Sequence, residues 1–173
     1  AIQFGRPAAN RMAEIYLMTP VAYKYGLHIE PVSYGQFNSF VHMRVGTFPV
    51  EGYPVIDGGR EHVEFLHRIY LRCKPWLDET VDDLDHGLAA ARAMQAKFVD
   101  VKPLLADAET AQKLDQSIHM TRLLIKTNNL YVKTAFAYFR YRETRAPHRR
   151  EALARCQAEL TRTRHEFMQA PGF

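Results

Sequence analysis

Apolar positions recur every three or four residues from about Arg60 to the end of the chain, and this spacing predicts four helical stretches. The first covers about Arg60 to Cys73 and is stopped by Pro75. The second starts near Asp78, with Glu79, Asp82 and Asp83 suited to the positive end of a helix. Its stripe is Val81, Leu84, Leu88, Ala91, Met94 and Phe98. The third runs from Pro103 or Asp107 to Thr144, with Ala111, Leu114, Ile118, Leu124 or Ile125, Tyr131, Ala135 and Tyr138 in line. Unbroken, it would reach roughly 55 Å at ~1.5 Å per residue. Pro147 opens the fourth, striped by Leu153, Cys156, Leu160, Thr163 and Phe167. Each stretch pairs an apolar stripe with a charged face, the pattern of helices packed side by side in a bundle.

Before residue 60 the pattern changes. This part holds most of the nine glycines and more than half of the nine prolines, among Tyr, Phe, Val and Ile. Pro7 to Tyr16 predicts a helix with Met12, Ile15 and Tyr16 on one side, interrupted or ended by Pro20. Gly26 sits where a helix-terminating glycine would. Leu27–Val32 and Phe40–Phe48 then read as short strands. The expected fold is mainly α: a short α/β segment over about 1–60, followed by an antiparallel helical bundle over 61–173.

Composition is that of a globular chain, with 47% apolar and 24% charged residues in 173. The net charge of +4 is too small to argue for nucleic acid by itself. No apolar run is long enough to span a membrane. Cys73 and Cys156 fall on apolar helix faces and read as reduced core thiols. The chain begins Ala1-Ile2-Gln3 without Met, which reads as a processed product or as a piece cut from something larger.

Several clusters could carry chemistry. Glu30 ends the run Leu27-His28-Ile29, and a carboxylate at a strand end can act as nucleophile, acid or base. Gln36, Asn38, His42 and Arg44 follow closely, with the aromatics Tyr34, Phe37 and Tyr53 around them. Set against this is an exposed strand edge with ordinary polar residues. The short link between the two strands also fits a hairpin, with Glu30 in its turn. Glu64 and His67 have the spacing of two metal ligands on one helical face, and Asp83 and His86 repeat it with Asp. A solvated surface explains both pairs. Asn128 lies near the apolar stripe of the third helix and needs a partner on a neighbouring helix, or marks a kink. The run "YFRYRETRAPHRR", Tyr138 to Arg150, is basic with interleaved aromatics. It reads as a solvated helix junction, and alternatively as a site for phosphate or RNA.

The stretch "AANRMAEIYLMTPVAYKYGLHIEPV" resembles a late helix and strand of a glycoside-hydrolase-like (β/α)8 barrel. "FNSFVHMRVGTF" resembles a final strand, and "GGREHVEFLHRIYLRC" a closing helix followed by an appended helical domain. The resemblance implies the C-terminal part of a carbohydrate-active hydrolase. It implies Glu30 as the catalytic carboxylate, with Tyr34, Asn38, His42 and Arg44 binding a carbohydrate. It calls for no cofactor or metal. Glycosidases use two carboxylates, so a lone fragment would be inactive without the missing N-terminal part. Two other readings compete: a helical interaction or scaffold subunit completed by a partner chain, and a di-metal bundle.

Overall fold

The computed structural model describes residues 4–27 and 59–170. Five α-helices follow one another there: α1 (Arg6–Leu27), α2 (Gly59–Cys73), α3 (Leu77–Val101), α4 (Ala108–Thr144) and α5 (Pro147–Met168). A 3-10 turn, Lys74–Trp76, joins α2 to α3, and another, Lys102–Leu104, follows α3. The mainly helical expectation holds, and α4 is continuous over 37 residues. Its start is set by Asp107, whose carboxylate accepts from the backbone N–H of Glu109 at 3.3 Å and Thr110 at 2.8 Å.

Among the described residues there is no strand, and this overturns the (β/α)8 barrel resemblance. α1 shows why. Pro20 lies inside it and does not end it. The ring removes one helical hydrogen bond, but Pro20 is exposed, and buried residues on both sides hold the helix down. Ala8, Met12 and Ile15 precede it and Ala22 follows it in one apolar cluster. Leu27, read as the first strand residue, is the last residue of α1. Gly26, read as a terminator, is the last residue but one of α1, and it is also a packing residue. A Cβ there would lie 2.5 Å from Ile125 of α4. The rest of the two expected strands lies outside the described residues.

Partners across the bundle define its directions. Gly26 of α1 faces Gly87 of α3, and Lys97 of α3 bridges Glu14 of α1 at 2.9 Å, so these two helices are antiparallel. Asp85 of α3 pairs with Lys133 of α4 at 2.6 Å, and Asp78 with Arg140 at 3.1 Å, again antiparallel. Lys126 of α4 meets Glu166 of α5 at 3.0 Å, completing an antiparallel hairpin. One apolar cluster joins α1, the later part of α3 and the first half of α4. The other joins α2, the start of α3, the second half of α4 and α5.

α4 departs from the one-stripe expectation. From Leu123 to Phe139 it is buried or half-buried on every side, because neighbours surround it. That forces polar side chains inside. Asn128 is fully buried and donates from Nδ2 to the Gly26 carbonyl at 2.7 Å, tying α4 to the last turn of α1. Asn129 donates to Asp85 Oδ1 at 3.0 Å. Partial burial pushes the Asp85 carboxyl up, but the bonds from Lys133 and Asn129 outweigh it and hold it below the usual range.

Candidate interaction surface

Two connections meet at one end of the bundle. One is the elbow between α2 and α3, where Pro75 prevents a continuous helix and Lys74–Trp76 makes a 3-10 turn. The other is the turn between α4 and α5, closed by Pro147 in the first turn of α5. Tyr70 near the end of α2 donates from Oη to Glu143 Oε2 at 2.9 Å. Lys74 reaches Glu143 Oε1 at 2.7 Å, and Arg140 reaches Asp78 at 3.1 Å. These three bonds make the two connections one continuous surface.

Large apolar side chains stand out on it. Trp76 is 60% exposed and Leu71 49%. Such residues are scattered singly on most proteins, but here both flank the same elbow. Beside them the charge is unbalanced. Residues 68–79 and 140–151 carry eight Lys or Arg against four Asp or Glu. That excess equals the formal charge of the whole chain, +4, so the remainder balances. Arg72, Arg142, Arg145 and Arg150 are all exposed.

The turn holds its cations in place. Arg145 has φ +54°, a left-handed conformation that usually falls to glycine after a helix, and its N–H bonds the Tyr141 carbonyl at 2.7 Å. Its guanidinium lies 5.5 Å from the Tyr141 ring centre, and that of Arg142 lies 5.8 Å from Tyr138. Rings beneath the guanidinium planes restrict the rotamers of otherwise floppy side chains.

Under this surface, Tyr70 is a titration marker. Burial, then the Glu143 carboxylate beside it, pushes its phenol up to about 12. The Lys74 ammonium, bonded to the same carboxylate, holds Glu143 below the usual range. A phenol near 10 in the unfolded chain and higher in the fold loses its proton first on unfolding. Its contribution is therefore complete below pH 10 and is lost as pH rises towards 12. We expect Tyr70→Phe to flatten the fall in stability over pH 10–12. Denaturant unfolding of both proteins checks this, and parallel pH profiles would refute it.

Glu30, Tyr34, Asn38, His42 and Arg44 lie outside the described residues. The two metal-spaced pairs do not converge. His67 packs on Phe139 with ring centres 4.9 Å apart, while His86 stands edge-on to Tyr25 at 5.1 Å. Among the described residues no group of three or more His, Cys, Asp or Glu could hold a metal ion. Burial pushes the Cys73 thiol up to about 11 and that of Cys156 also upward, leaving both as thiols at neutral pH. An open cleft of about 270 Å³ lies between α1 and α3, lined by Arg11, Glu14, Lys97, Asp100 and Val101, with Glu14 already bridged by Lys97. No described helix is long and apolar enough to cross a membrane.

The basic run reads in sequence first as a solvated helix junction, and the pattern does not single out Trp76 or Leu71. The available signal was a lone tryptophan in Lys-Pro-Trp, just before a helix whose first turn is acidic. In comparison with known proteins, the chain matches no family model, no curated protein and no solved structure.

Proposed function

We propose that this chain is a helical interaction module that docks a partner protein through the end of the bundle formed by the α2–α3 elbow and the α4–α5 turn. The observation that carries the reading is an exposed tryptophan and leucine beside the chain's whole excess of positive charge. Tryptophan and arginine are the residues that most often concentrate binding energy at protein interfaces. The reading belongs with the helical scaffold alternative. The leading sequence expectation, a carbohydrate-active hydrolase fragment, drew its scaffold from a barrel, and the described residues hold no strand.

A photo-reactive residue in place of Leu71 tests the docking. In the cells the protein comes from, illumination should give one discrete adduct of higher mass. The same residue placed at Glu109, at the far end of α4, should give none. Equal adducts from both positions, or none from position 71, would reject the reading.

A further inference from the structure

We infer that the partner segment recognised at this end is a short acidic peptide with apolar side chains, held by Arg142, Arg145 and Arg150 and anchored on Trp76. This rests on the interaction-module reading and gives it a chemistry.

Charge selects an anion, and the surroundings select its length. The basic surface is bounded along α3 by Asp78, Glu79, Asp82 and Asp83, all exposed, and along α5 by Glu151. A nucleic acid backbone carries charge at every step and would be driven over these carboxylates. A peptide of one or two turns need not cross them. The two tyrosine rings of the turn add little to a stacking platform, since Tyr138 is buried and Tyr141 has the Arg145 guanidinium over it. Guanidinium forks match carboxylates in bidentate geometry, and those braced on rings lose less freedom when they bind. Trp76 and Leu71 offer area that a purely acidic ligand would leave bare. An amphipathic segment, acidic on one side and aliphatic on the other, uses both.

Arg145 supplies an independent sign. Its left-handed conformation crowds the Cβ of an L-residue against its own backbone, which glycine would avoid. Glycine would close the turn equally well and would lack only the cation. Local strain kept at one residue is the mark of a task other than folding.

Trp76 is the chain's one tryptophan, so its fluorescence reports on the site directly. The full chain would be titrated with a labelled peptide of alternating Glu-Glu-Leu units, with poly-glutamate of equal length, and with oligo-dT of equal length. The Glu-Leu peptide should shift Trp76 emission to the blue and bind at least tenfold tighter than either other probe. Raising the salt should weaken it. The double variant Arg142→Glu/Arg150→Glu should lose at least tenfold in affinity by peptide anisotropy. Arg145→Gly keeps the turn, so it should melt no lower than the parent and still bind the peptide more weakly. That contrast separates loss of contact from loss of fold. Oligo-dT binding as tightly as the peptide would overturn the inference in favour of nucleic acid. Self-association that already shields Trp76 would overturn it in favour of a second copy of the chain. No response to the peptide would also overturn it. If photo-adducts at position 71 persist undiminished in Arg142→Glu/Arg150→Glu, the acidic chemistry fails while the docking surface stands.

Discussion

Gly87→Ala is expected to lower the melting temperature by roughly 10 °C, corresponding to about 3 kcal/mol for a chain of this size. The cause is a backbone-to-backbone approach. A Cβ on Gly87 would lie 2.1 Å from the Gly26 nitrogen and 2.4 Å from its Cα. No side chain stands between the helices to swing away, so the last turn of α1 must move off α3. Moving it pulls the Gly26 carbonyl away from Asn128, which is fully buried out of contact with solvent. Gly26→Ala makes a useful contrast. Its new methyl meets the Cγ2 of Ile125, the end of a side chain that can rotate, so the loss should be smaller. Thermal unfolding followed by circular dichroism measures both. A drop of less than about 2 °C for Gly87→Ala would show that the two helices can separate at little cost.

The second large effect is expected at Asn128. Asn128→Asp keeps the shape and replaces a donor to the Gly26 carbonyl with a carboxyl group. Ionised, that group cannot donate and is left charged in an interior with no cation bonded to it. Its pKa must rise in the fold, by about 3 units for a group this buried, which makes the loss about 4 kcal/mol at pH 7. The sign in pH follows from linkage. A carboxyl whose folded pKa is raised is tolerated while both states are protonated, below about pH 4. The penalty grows as pH climbs from the unfolded pKa to the folded one, and is constant above that. Urea unfolding at pH 3.5 and pH 7 should therefore show a small difference from the parent protein at the lower pH and a large one at the higher. An equal difference at both pH values would mean that Asn128 contributes by shape and not by its donor.

Both sites show which parts of the fold were legible. The helices from residue 60 onward could be read because each shows three-four spacing, with Pro75 ending the first and Pro147 opening the last. Asp107 could be read as a start because its carboxylate caps the helix it precedes. The first 27 residues misled because Pro20 carries a local meaning that tertiary packing overrode, and because Gly26, one residue from the end of α1, also serves a packing contact. A proline costs a hydrogen bond only where nothing else holds the helix, and α1 is held on both sides of Pro20. A glycine can mark a chain reversal or a close contact, and Gly26 also marks a contact with the distant Gly87 and Ile125. Single-stripe reasoning also failed in the middle of α4. A helix with four helical neighbours has no solvent face there; the pattern shows that Asn128 needs a partner on a neighbouring helix, but only the fold supplies it, in the Gly26 carbonyl. The candidate surface was half legible. Its arginines form a run in sequence, whereas Leu71 and Trp76 reach them only through Tyr70, Lys74 and Glu143.

The central position of α4 governs how the molecule comes apart. Its two halves serve different apolar clusters, and Leu124 packs against both. Neither cluster can dissolve without stripping one side of the same unbroken helix. Unzipping of one half is thus opposed by the other, and the bundle should lose its structure in a single cooperative step. The amides around residues 123–132 would then be the last in the protein to exchange with solvent deuterium.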